Sequence, residues 1–171
     1  MLYQSEYLSP LGKIILTSEG NNLTGLWFAG GREPKWATTD ASSGKDVTVF
    51  TQTREWLDIY FSGREPGFTP PVAWQDSAFR NLVWDLLLQI PYGQTVAYGD
   101  LAVQAAAMLG KKKMAAQAIG GAVGANPICL IVPCHRVVGK NGSLTGYGGG
   151  LDKKIALLKL EKVDLKKFFL P

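Results

Sequence analysis

The sequence predicts an α+β fold in two parts, a small antiparallel sheet with one helix and then a mostly helical region. Three observations predict this fold. Short apolar or β-branched runs separated by turn signals fill residues 3–28, apolar residues recur at helical spacing in the second half, and a stretch rich in Gly and Pro, 62–71, lies between them. We therefore expect two domains, residues 1–72 and 73–171.

The first domain begins with three predicted strands, 3–7, 13–18 and 23–28. Ser-Pro-Leu-Gly and Glu-Gly-Asn-Asn turn sequences separate them, which favours antiparallel pairing. After a polar stretch, apolar residues return at helical spacing and predict a helix that packs on the sheet: Phe50, Thr53, Leu57, Tyr60 and Phe61.

The second domain has its most regular helical pattern over residues 76–89. Asp76 or Ser77 is suited to cap this helix and Pro91 to stop it. The same spacing predicts a helix from Tyr98 to Leu109, which a turn with one glycine connects to another helix over 114–123, as in a helix-turn-helix. A short amphipathic helix is expected from Leu151 through Leu158.

The predicted helix over 114–123 is made almost entirely of small residues and lacks bulky polar side chains that read base edges. Its alanines and glycines suit either a close approach of DNA or tight packing between two helices, and both interpretations stay open. The three lysines that precede it, Lys111, Lys112 and Lys113, favour DNA.

Composition excludes several classes of protein. Of 171 residues, 46% are hydrophobic and 19% charged, which is typical of a folded core rather than a disordered chain. No apolar run approaches the roughly 18 residues that span a bilayer, and the N-terminus lacks a signal-peptide pattern, so we expect a soluble cytoplasmic protein. The charge is −3 over residues 1–90 and +7 over 91–171, which indicates either a polyanionic partner or a solvated basic face.

The chain has two cysteines, Cys129 and Cys134, and one histidine, His135. These are too few for a structural zinc site or a disulfide framework, and in a reducing compartment both thiols are expected to be free. The apolar run 128–132 predicts a buried strand that ends at Pro133. Cys129 is then a core residue, and Cys134 lies at an abrupt turn.

Cys134 is the candidate nucleophile, because His135 and Arg136 follow it directly. The thiolate is the reactive form of cysteine, and a neighbouring base or positive charge makes it available near neutral pH. A histidine base also needs an acidic partner to fix its tautomer. The acids after residue 90 are Asp100, Asp152, Glu161 and Asp164.

These residues resemble a known family, the O6-alkylguanine-DNA alkyltransferases, also called methylated-DNA-protein-cysteine methyltransferases. The resemblance rests on Pro-Cys-His-Arg-Val-Val at 133–138 together with segments before and after it: 90–95, 98–99, 120–122, 126–127, 146–147 and 149–151. It covers residues 74–162 strongly and extends more loosely through 9–12.

The resemblance implies a small ribonuclease-H-like α/β domain followed by a helical domain with a winged-helix-like helix-turn-helix. It implies that a monomer binds the minor groove of double-stranded DNA carrying O6-alkylguanine, with no membrane, metal or cofactor. The damaged base is flipped out of the duplex and its alkyl group moves irreversibly to the protein. O4-alkylthymine as a second substrate stays open.

The resemblance also implies roles for individual residues. Cys134 would be the acceptor, His135 the base acting through water, and Glu161 the acid that orients it. Asn126 would stabilise the turn before the 128–132 strand, and Tyr98 and Lys154 would assist the leaving guanine. Expected pocket residues are Tyr98, Val137, Tyr147 and Gly148, and expected DNA contacts are Lys111, Lys112, Lys113, Met114, Ala115, Gln117, Gly120 and Arg136.

The sequence departs from the family pattern at Gln117, where many relatives carry an arginine that fills the space left by the flipped base. Glutamine still offers hydrogen bonds to the orphaned cytosine but brings no charge. Extra residues between Tyr98 and the second helix also shift Lys111, Lys112 and Lys113 relative to the family pattern.

Three rival functions remain. A catalytically silent damage sensor on the same fold is disfavoured, since its known relatives replace the acceptor cysteine and this chain keeps Cys134. A cysteine hydrolase or thiol peroxidase would release product repeatedly, whereas an alkyltransferase stops after one equivalent. An operator-specific regulator would need base-reading side chains, which 114–123 lacks.

Overall fold

The computed structural model describes residues 1–37, 42–44 and 47–170. The chain forms two compact units. The first comprises Met1–Trp74 with Pro127–Cys129, and the second comprises Gln75–Asn126 with Leu130–Pro171.

The first unit contains a four-stranded sheet. Strands β1 (Tyr3–Ser9), β2 (Gly12–Ser18) and β3 (Leu23–Phe28) pair antiparallel, which confirms the three predicted strands. Strand β4 (Ser42–Ser43) adds parallel to β1, giving the order β3-β2-β1-β4. The two serines of β4 carry no apolar pattern, so the sequence gives no sign of this strand.

Helix α1 (Thr48–Phe61) packs on this sheet and confirms the predicted helix. It begins two residues before Phe50, whose side chain is fully buried together with those of Leu57 and Tyr60. The apolar spacing seen in the sequence is therefore the face that α1 turns toward the sheet.

The predicted strand over 128–132 is wrong, although most of the run is buried as expected. Only Ile128 forms a β-bridge, with Leu26 of the same unit, and the residues after it turn. Leu130 has φ of 69°, a left-handed conformation that cannot continue a strand. Cys129 is half-buried rather than a core residue. An apolar run has the same composition in a buried strand and in a buried turn, so the sequence cannot separate them.

The second unit is built mainly from helices α2 (Ala78–Leu88), α3 (Tyr98–Met108), α4 (Ala116–Gly124) and α5 (Leu151–Leu160), and the sequence predicts all four. The predicted cap of α2 is confirmed at Ser77, whose hydroxyl accepts from the Arg80 amide at 3.2 Å. Two short strands, β5 (Val96–Ala97) and β6 (Val137–Val138), pair parallel.

Helix α4 begins at Ala116, two residues later than the pattern predicts. Ala115 has extended backbone angles and no side-chain cap, so Met114 and Ala115 lie in the turn before the helix. Helices α3 and α4 pack together, and the Trp84 indole N–H of α2 donates to the Ala122 carbonyl at 2.8 Å. Helices α3 and α4 form the predicted helix-turn-helix, and α2 packs against α4. No helix among the described residues is long and apolar enough to cross a membrane.

Candidate active site

Cys134 lies at a sharp bend in the backbone. Pro133 has φ of −82° and ψ of 67°, and the Cys134 amide donates to the Val132 carbonyl at 2.8 Å, which is an inverse γ-turn. One turn of 3-10 helix, Cys134–Arg136, follows. Asn126 Nδ2 donates to the same Val132 carbonyl at 2.8 Å. Its side chain thus holds the turn that ends the 128–132 run, whereas the resemblance implied a role in the turn before that run. The Cys134 side chain is therefore held firmly and is 7% exposed.

Two further segments of the second unit, the start of α3 and helix α5, meet at this bend. The pairing of Ala97 with Val138 places the first residue of α3, Tyr98, close to Cys134. Helix α5 packs against the 3-10 turn and carries Lys154 in its first turn and Glu161 at its C-terminal cap. Residues far apart in sequence are thus brought to one place by strand pairing and helix packing.

The Glu161 carboxylate is buried and accepts four hydrogen bonds. Oε2 accepts from His135 Nε2 at 2.5 Å and from Arg136 Nη2 at 3.2 Å. Oε1 accepts from Arg136 Nε at 2.8 Å and from the Gly93 amide at 2.9 Å. Burial raises the pKa of Glu161, but the hydrogen bonds and charges of His135 and Arg136 outweigh burial and lower its pKa to about 2. Glu161 is therefore ionised at neutral pH.

Of the four acids that the sequence offers as partners for His135, the structure brings Glu161 to it. The other three, Asp100, Asp152 and Asp164, are exposed. Asp164 instead accepts from the Lys166 amide at 3.0 Å.

His135 is completely buried, and its partner fixes which ring nitrogen carries the proton. An ionised carboxylate only accepts hydrogen bonds, so Nε2 donates to Glu161 and Nδ1 keeps its lone pair. Burial lowers the pKa of His135, Glu161 opposes this effect, and the positive charges of Arg136 and Lys154 add to it. The net lowered pKa keeps the imidazole neutral at pH 7, which is the state that a proton acceptor requires.

Lys154 is also fully buried, and its ammonium has three carbonyl partners. Nζ donates to the carbonyls of Val137 at 2.6 Å, Thr145 at 2.8 Å and Gly146 at 3.4 Å. Burial lowers the pKa of Lys154 to about 8, against the opposing charge of Cys134. Lys154 thus connects the 145–146 loop to β6. To donate a hydrogen bond to a leaving base, Lys154 would have to break one of these three hydrogen bonds.

Tyr98 has a raised pKa, because burial and the negative charge of Cys134 outweigh a hydrogen bond with the Thr145 side chain. The phenol consequently keeps its proton over the physiological pH range and is available as a donor.

Arg136 does not lie where a DNA contact needs it. The side chain is buried, its Nη1 donates to the Ile90 carbonyl at 2.7 Å, and its other nitrogens bind Glu161. The guanidinium also lies over the Tyr92 ring, 5.6 Å from its centroid. The predicted DNA contact of this side chain is therefore corrected to a buried structural pairing. The motif at 90–95 marks the family in the sequence, but nothing in it reveals that its residues contact Arg136.

The remaining predicted site residues lie in two regions of the second unit. Val137 is buried in β6, while Tyr147 is half-buried and Gly148 exposed in the loop before α5. On the helix-turn-helix, five predicted DNA contacts are exposed and two, Met114 and Gly120, are half-buried; the exposed ones are Lys111, Lys112, Lys113, Ala115 and Gln117.

Two glycines of α4, Gly120 and Gly121, are not needed for packing within the protein. A Cβ atom placed on Gly120 or Gly121 would meet nothing within 4 Å. Tight packing between helices, the alternative interpretation of this small-residue helix, therefore does not explain these two positions. Among the described residues, no group of three or more His, Cys, Asp or Glu side chains is placed to hold a metal ion.

A cysteine beside a His–Glu pair, in a unit that carries a helix-turn-helix, is the combination expected of a DNA-binding protein with a cysteine nucleophile. Comparison with known families identifies the particular one. Residues 2–74 match the ribonuclease-like domain of 6-O-methylguanine DNA methyltransferase, and residues 78–163 match the DNA binding domain of the same family. The chain belongs to the 6-O-methylguanine DNA methyltransferase family.

Individual relatives agree with this assignment over nearly the whole chain. Proteins named methylated-DNA–protein-cysteine methyltransferase are 38% identical over 166 residues in Haemophilus influenzae and 40% identical over 162 residues in Mycobacterium bovis. Each alignment covers 95% of this chain, and 87% and 93% of the respective relatives. The crystal structure of Mycobacterium tuberculosis OGT in complex with DNA has a TM-score of 0.81 at 37% identity, covering 97% of this chain and 94% of that one. The resemblance and the fold class predicted from the sequence are confirmed.

Proposed function

We propose that this chain repairs DNA by transferring the alkyl group of O6-alkylguanine to Sγ of Cys134, once per protein molecule. The observation that carries the proposal is the 2.5 Å contact between Glu161 and His135, the residue directly after Cys134. It supplies a neutral, oriented base next to the candidate nucleophile, with the Lys154 ammonium nearby to favour the thiolate. The names of the relatives and the DNA complex of the Mycobacterium tuberculosis protein support the same activity.

The proposed reaction is an in-line displacement at the alkyl carbon. His135 Nδ1 accepts the thiol proton of Cys134 through one water molecule, and the thiolate forms the new C–S bond as the C–O6 bond breaks. The electron pair of the broken bond stays on guanine, and a proton delivered from the Tyr98 hydroxyl neutralises it. The His135 proton then restores Tyr98 through solvent. A thioether offers no comparable leaving group, so the protein ends alkylated and inactive.

The proposed DNA interface is the helix-turn-helix, with α4 in the minor groove. Lys111, Lys112 and Lys113 would contact phosphates, Gly120 would let the sugar-phosphate backbone approach, and Gln117 would fill the space of the flipped base. The base would enter a pocket lined by Val137, Tyr147 and Gly148. Because all catalytic side chains come from one chain, we propose that a monomer acts, on DNA in the cytoplasm.

Intact-protein mass spectrometry after mixing with an O6-methylguanine duplex tests this proposal. One methyl group per protein, located on the peptide that contains Cys134, is expected, with one lesion lost per molecule. Cys134→Ala should gain no methyl group yet still bind the alkylated duplex, whereas the matched control Cys129→Ala should be methylated like the unmodified sequence. Lesion loss beyond one equivalent, or tight binding without any gain in mass, would overturn the proposal.

A further inference from the structure

The turn between α2 and β5, residues 90–93, contacts the catalytic carboxylate but has no part in the proposed reaction. The Ile90 carbonyl accepts from Arg136, the Tyr92 ring lies beneath the same guanidinium, and the Gly93 amide donates to Glu161. One short turn therefore supplies an acceptor, an aromatic face and a donor to a single buried ion pair.

We propose that Ile90, Tyr92, Gly93 and Arg136 form a carboxylate brace, a set of positioning residues that fixes Glu161 so that His135 presents Nδ1 as a proton acceptor. The proposal deepens the proposed function and rests on it for its kinetic consequences. None of the four residues needs to touch the substrate, since all act through Glu161.

Geometry supports the brace first. A carboxylate has about four acceptor positions, and Arg136 Nε and Nη2, the Gly93 amide and His135 Nε2 fill them at 2.5–3.2 Å. The side-on approach of Arg136 also fixes the plane of the carboxylate, because both ends of the guanidinium edge are engaged. Glu161 is left with one orientation in which Oε2 faces His135.

The location of Glu161 makes such a brace necessary. Glu161 is the C-cap of α5, where the helix dipole places partial negative charge. A buried carboxylate at that end is unfavourable unless donors and a positive charge offset it. Arg136 supplies the charge, and Gly93 supplies an uncharged donor from outside the helix.

Charge supports the brace independently. A buried histidine paired with a carboxylate alone would tend to hold a second proton, since the imidazolium gains from the negative charge. The charged groups that face His135 are Glu161, Arg136 and Lys154, and Cys134 precedes it in the chain. Arg136 repels a proton on His135 directly and also competes for Glu161. Both effects lower the pKa of His135, so removing Arg136 should raise it.

The conformation of this turn requires a glycine at position 93. Its φ is 77°, and a Cβ atom there would lie 3.2 Å from the Glu161 carbonyl oxygen. A side chain at position 93 would thus be strained in conformation and crowded against the backbone of the residue that the brace holds.

The single histidine of the chain makes the test direct, because ¹⁵N-labelled imidazole signals report only on His135. The comparison uses the unmodified protein, Arg136→Met, Arg136→Lys and Tyr92→Leu. Arg80→Met is the matched control, since Arg80 pairs with Asp76 on the surface of the same unit. In the unmodified protein and the control, we expect neutral imidazole protonated on Nε2 at pH 7. In Arg136→Met, the pH at which half of the His135 side chains are imidazolium, here called the midpoint, should rise by about one pH unit or more.

The kinetic arm follows from the same shift. The rate of the unmodified protein divided by that of Arg136→Met should be largest at low pH and shrink as pH rises, while Lys154 titrates alike in both proteins. Arg136→Lys keeps the positive charge but loses the side-on geometry. Its His135 midpoint should therefore lie close to that of the unmodified protein, while its rate of alkyl transfer stays lower. Tyr92→Leu should shift the midpoint in the same direction by less.

Two results would overturn the brace. One is a His135 in the unmodified protein that is protonated on Nδ1, or doubly protonated, at pH 7. The other is an unchanged tautomer and midpoint in folded Arg136→Met and Tyr92→Leu. If Arg136→Met does not fold, the midpoint of Tyr92→Leu and the transfer rate of Arg136→Lys decide, and the brace fails if both equal those of the unmodified protein. Failure of the proposed function would appear separately, as an unmodified protein that transfers no alkyl group while its His135 signals still report on the brace.

Discussion

Two regions of the second unit are built in opposite ways. Around Cys134, charged side chains are buried and tied by several hydrogen bonds each, as with the four donors to Glu161. On the helix-turn-helix, Lys111, Lys112 and Lys113 are exposed and Gly120 faces open space. Bond-making chemistry requires a geometry that exists before the substrate arrives, whereas binding lesions in any sequence context requires charge and close approach rather than fixed contacts.

In the buried region around Cys134, the largest effect on the transfer rate is expected from Glu161→Gln. A neutral amide no longer balances Arg136 and no longer fixes the tautomer of His135, so the single-turnover rate should fall roughly 100-fold. The free energy of unfolding should fall by about 3 kcal/mol, because a buried charge is left unpaired. Rapid-quench transfer assays and urea unfolding measure the two effects.

The pH dependence of that stability loss has a definite sign. Because the folded-state pKa of Glu161 is lowered to about 2 from 4.5, its contribution is fully present above pH 4.5 and is lost as pH falls toward 2. The control is Asp164→Asn, which removes an exposed acid near the same helix. A Glu161→Gln protein with the transfer rate of this control would remove Glu161 from the mechanism.

A second prediction concerns the exposed surface. Replacing Lys111, Lys112 and Lys113 by glutamine should weaken binding to duplex DNA roughly tenfold at low salt. The dependence of log affinity on log salt concentration should become less steep by about 0.9 for each phosphate that the variant no longer neutralises. The transfer rate from a free alkylated base should not change, since the buried cluster stays intact. Fluorescence anisotropy at several salt concentrations measures the effect.

The matched control replaces three exposed lysines elsewhere in the unit, Lys159, Lys166 and Lys167. An equal loss of affinity in both triple variants would mean that overall charge, rather than a defined surface, attracts the DNA.

A smaller, few-fold change in the transfer rate is expected when the buried Lys154 loses its proton. Because the pKa of Lys154 is lowered to about 8, the transfer rate should decline above that pH as positive charge beside the thiolate is lost. Lys154→Met should lack this alkaline decline. A rate that still rises through pH 9 in the unmodified protein would contradict the assignment.

Stability should also depend on pH over the same range. The unfolded chain binds a proton at Lys154 up to about its usual pKa of 10.5, whereas the folded protein releases it near 8. The unmodified protein should therefore gain stability relative to Lys154→Met as pH rises from 8 to 10. Urea unfolding at each pH checks the sign.

The smallest expected effect comes from Gly120→Ala. A Cβ atom has room there, so alanine should increase the free energy of unfolding by up to about 1 kcal/mol through helix propensity. Affinity for duplex DNA should nevertheless fall, because the methyl group occupies space that the DNA backbone would use. Gly121→Ala controls for propensity on the same helix. Unchanged affinity for Gly120→Ala would break the assignment of this surface.

Much of the fold follows from the sequence, because strands β1 to β3 and the helices each have one apolar face with a clear period. Ser77 likewise could be expected as a cap from its position alone. The turn at 128–132 could not, since composition does not reveal the left-handed conformation of Leu130. Strand β4 has no apolar residue to mark it.

The candidate site likewise contains residues that the sequence indicates and residues that only the fold reveals. Cys134 and His135 stand out as adjacent reactive residues, and the resemblance supplied Glu161. The burial of Arg136 was not foreseeable, because an arginine in a basic half of the chain has the same appearance whether it pairs with DNA or with a buried acid. Only the fold shows that 90–93 supplies its partners.

The inverse γ-turn at Pro133 bears on the rival hydrolase function. Acyl-transfer enzymes commonly use the nucleophile's own amide N–H to stabilise the tetrahedral oxyanion. Here that amide is already committed to the Val132 carbonyl at 2.8 Å. The bend that holds the sulfur in place thus removes a donor that cleavage of an ester or amide would need, while displacement at a saturated carbon generates no such oxyanion and loses nothing.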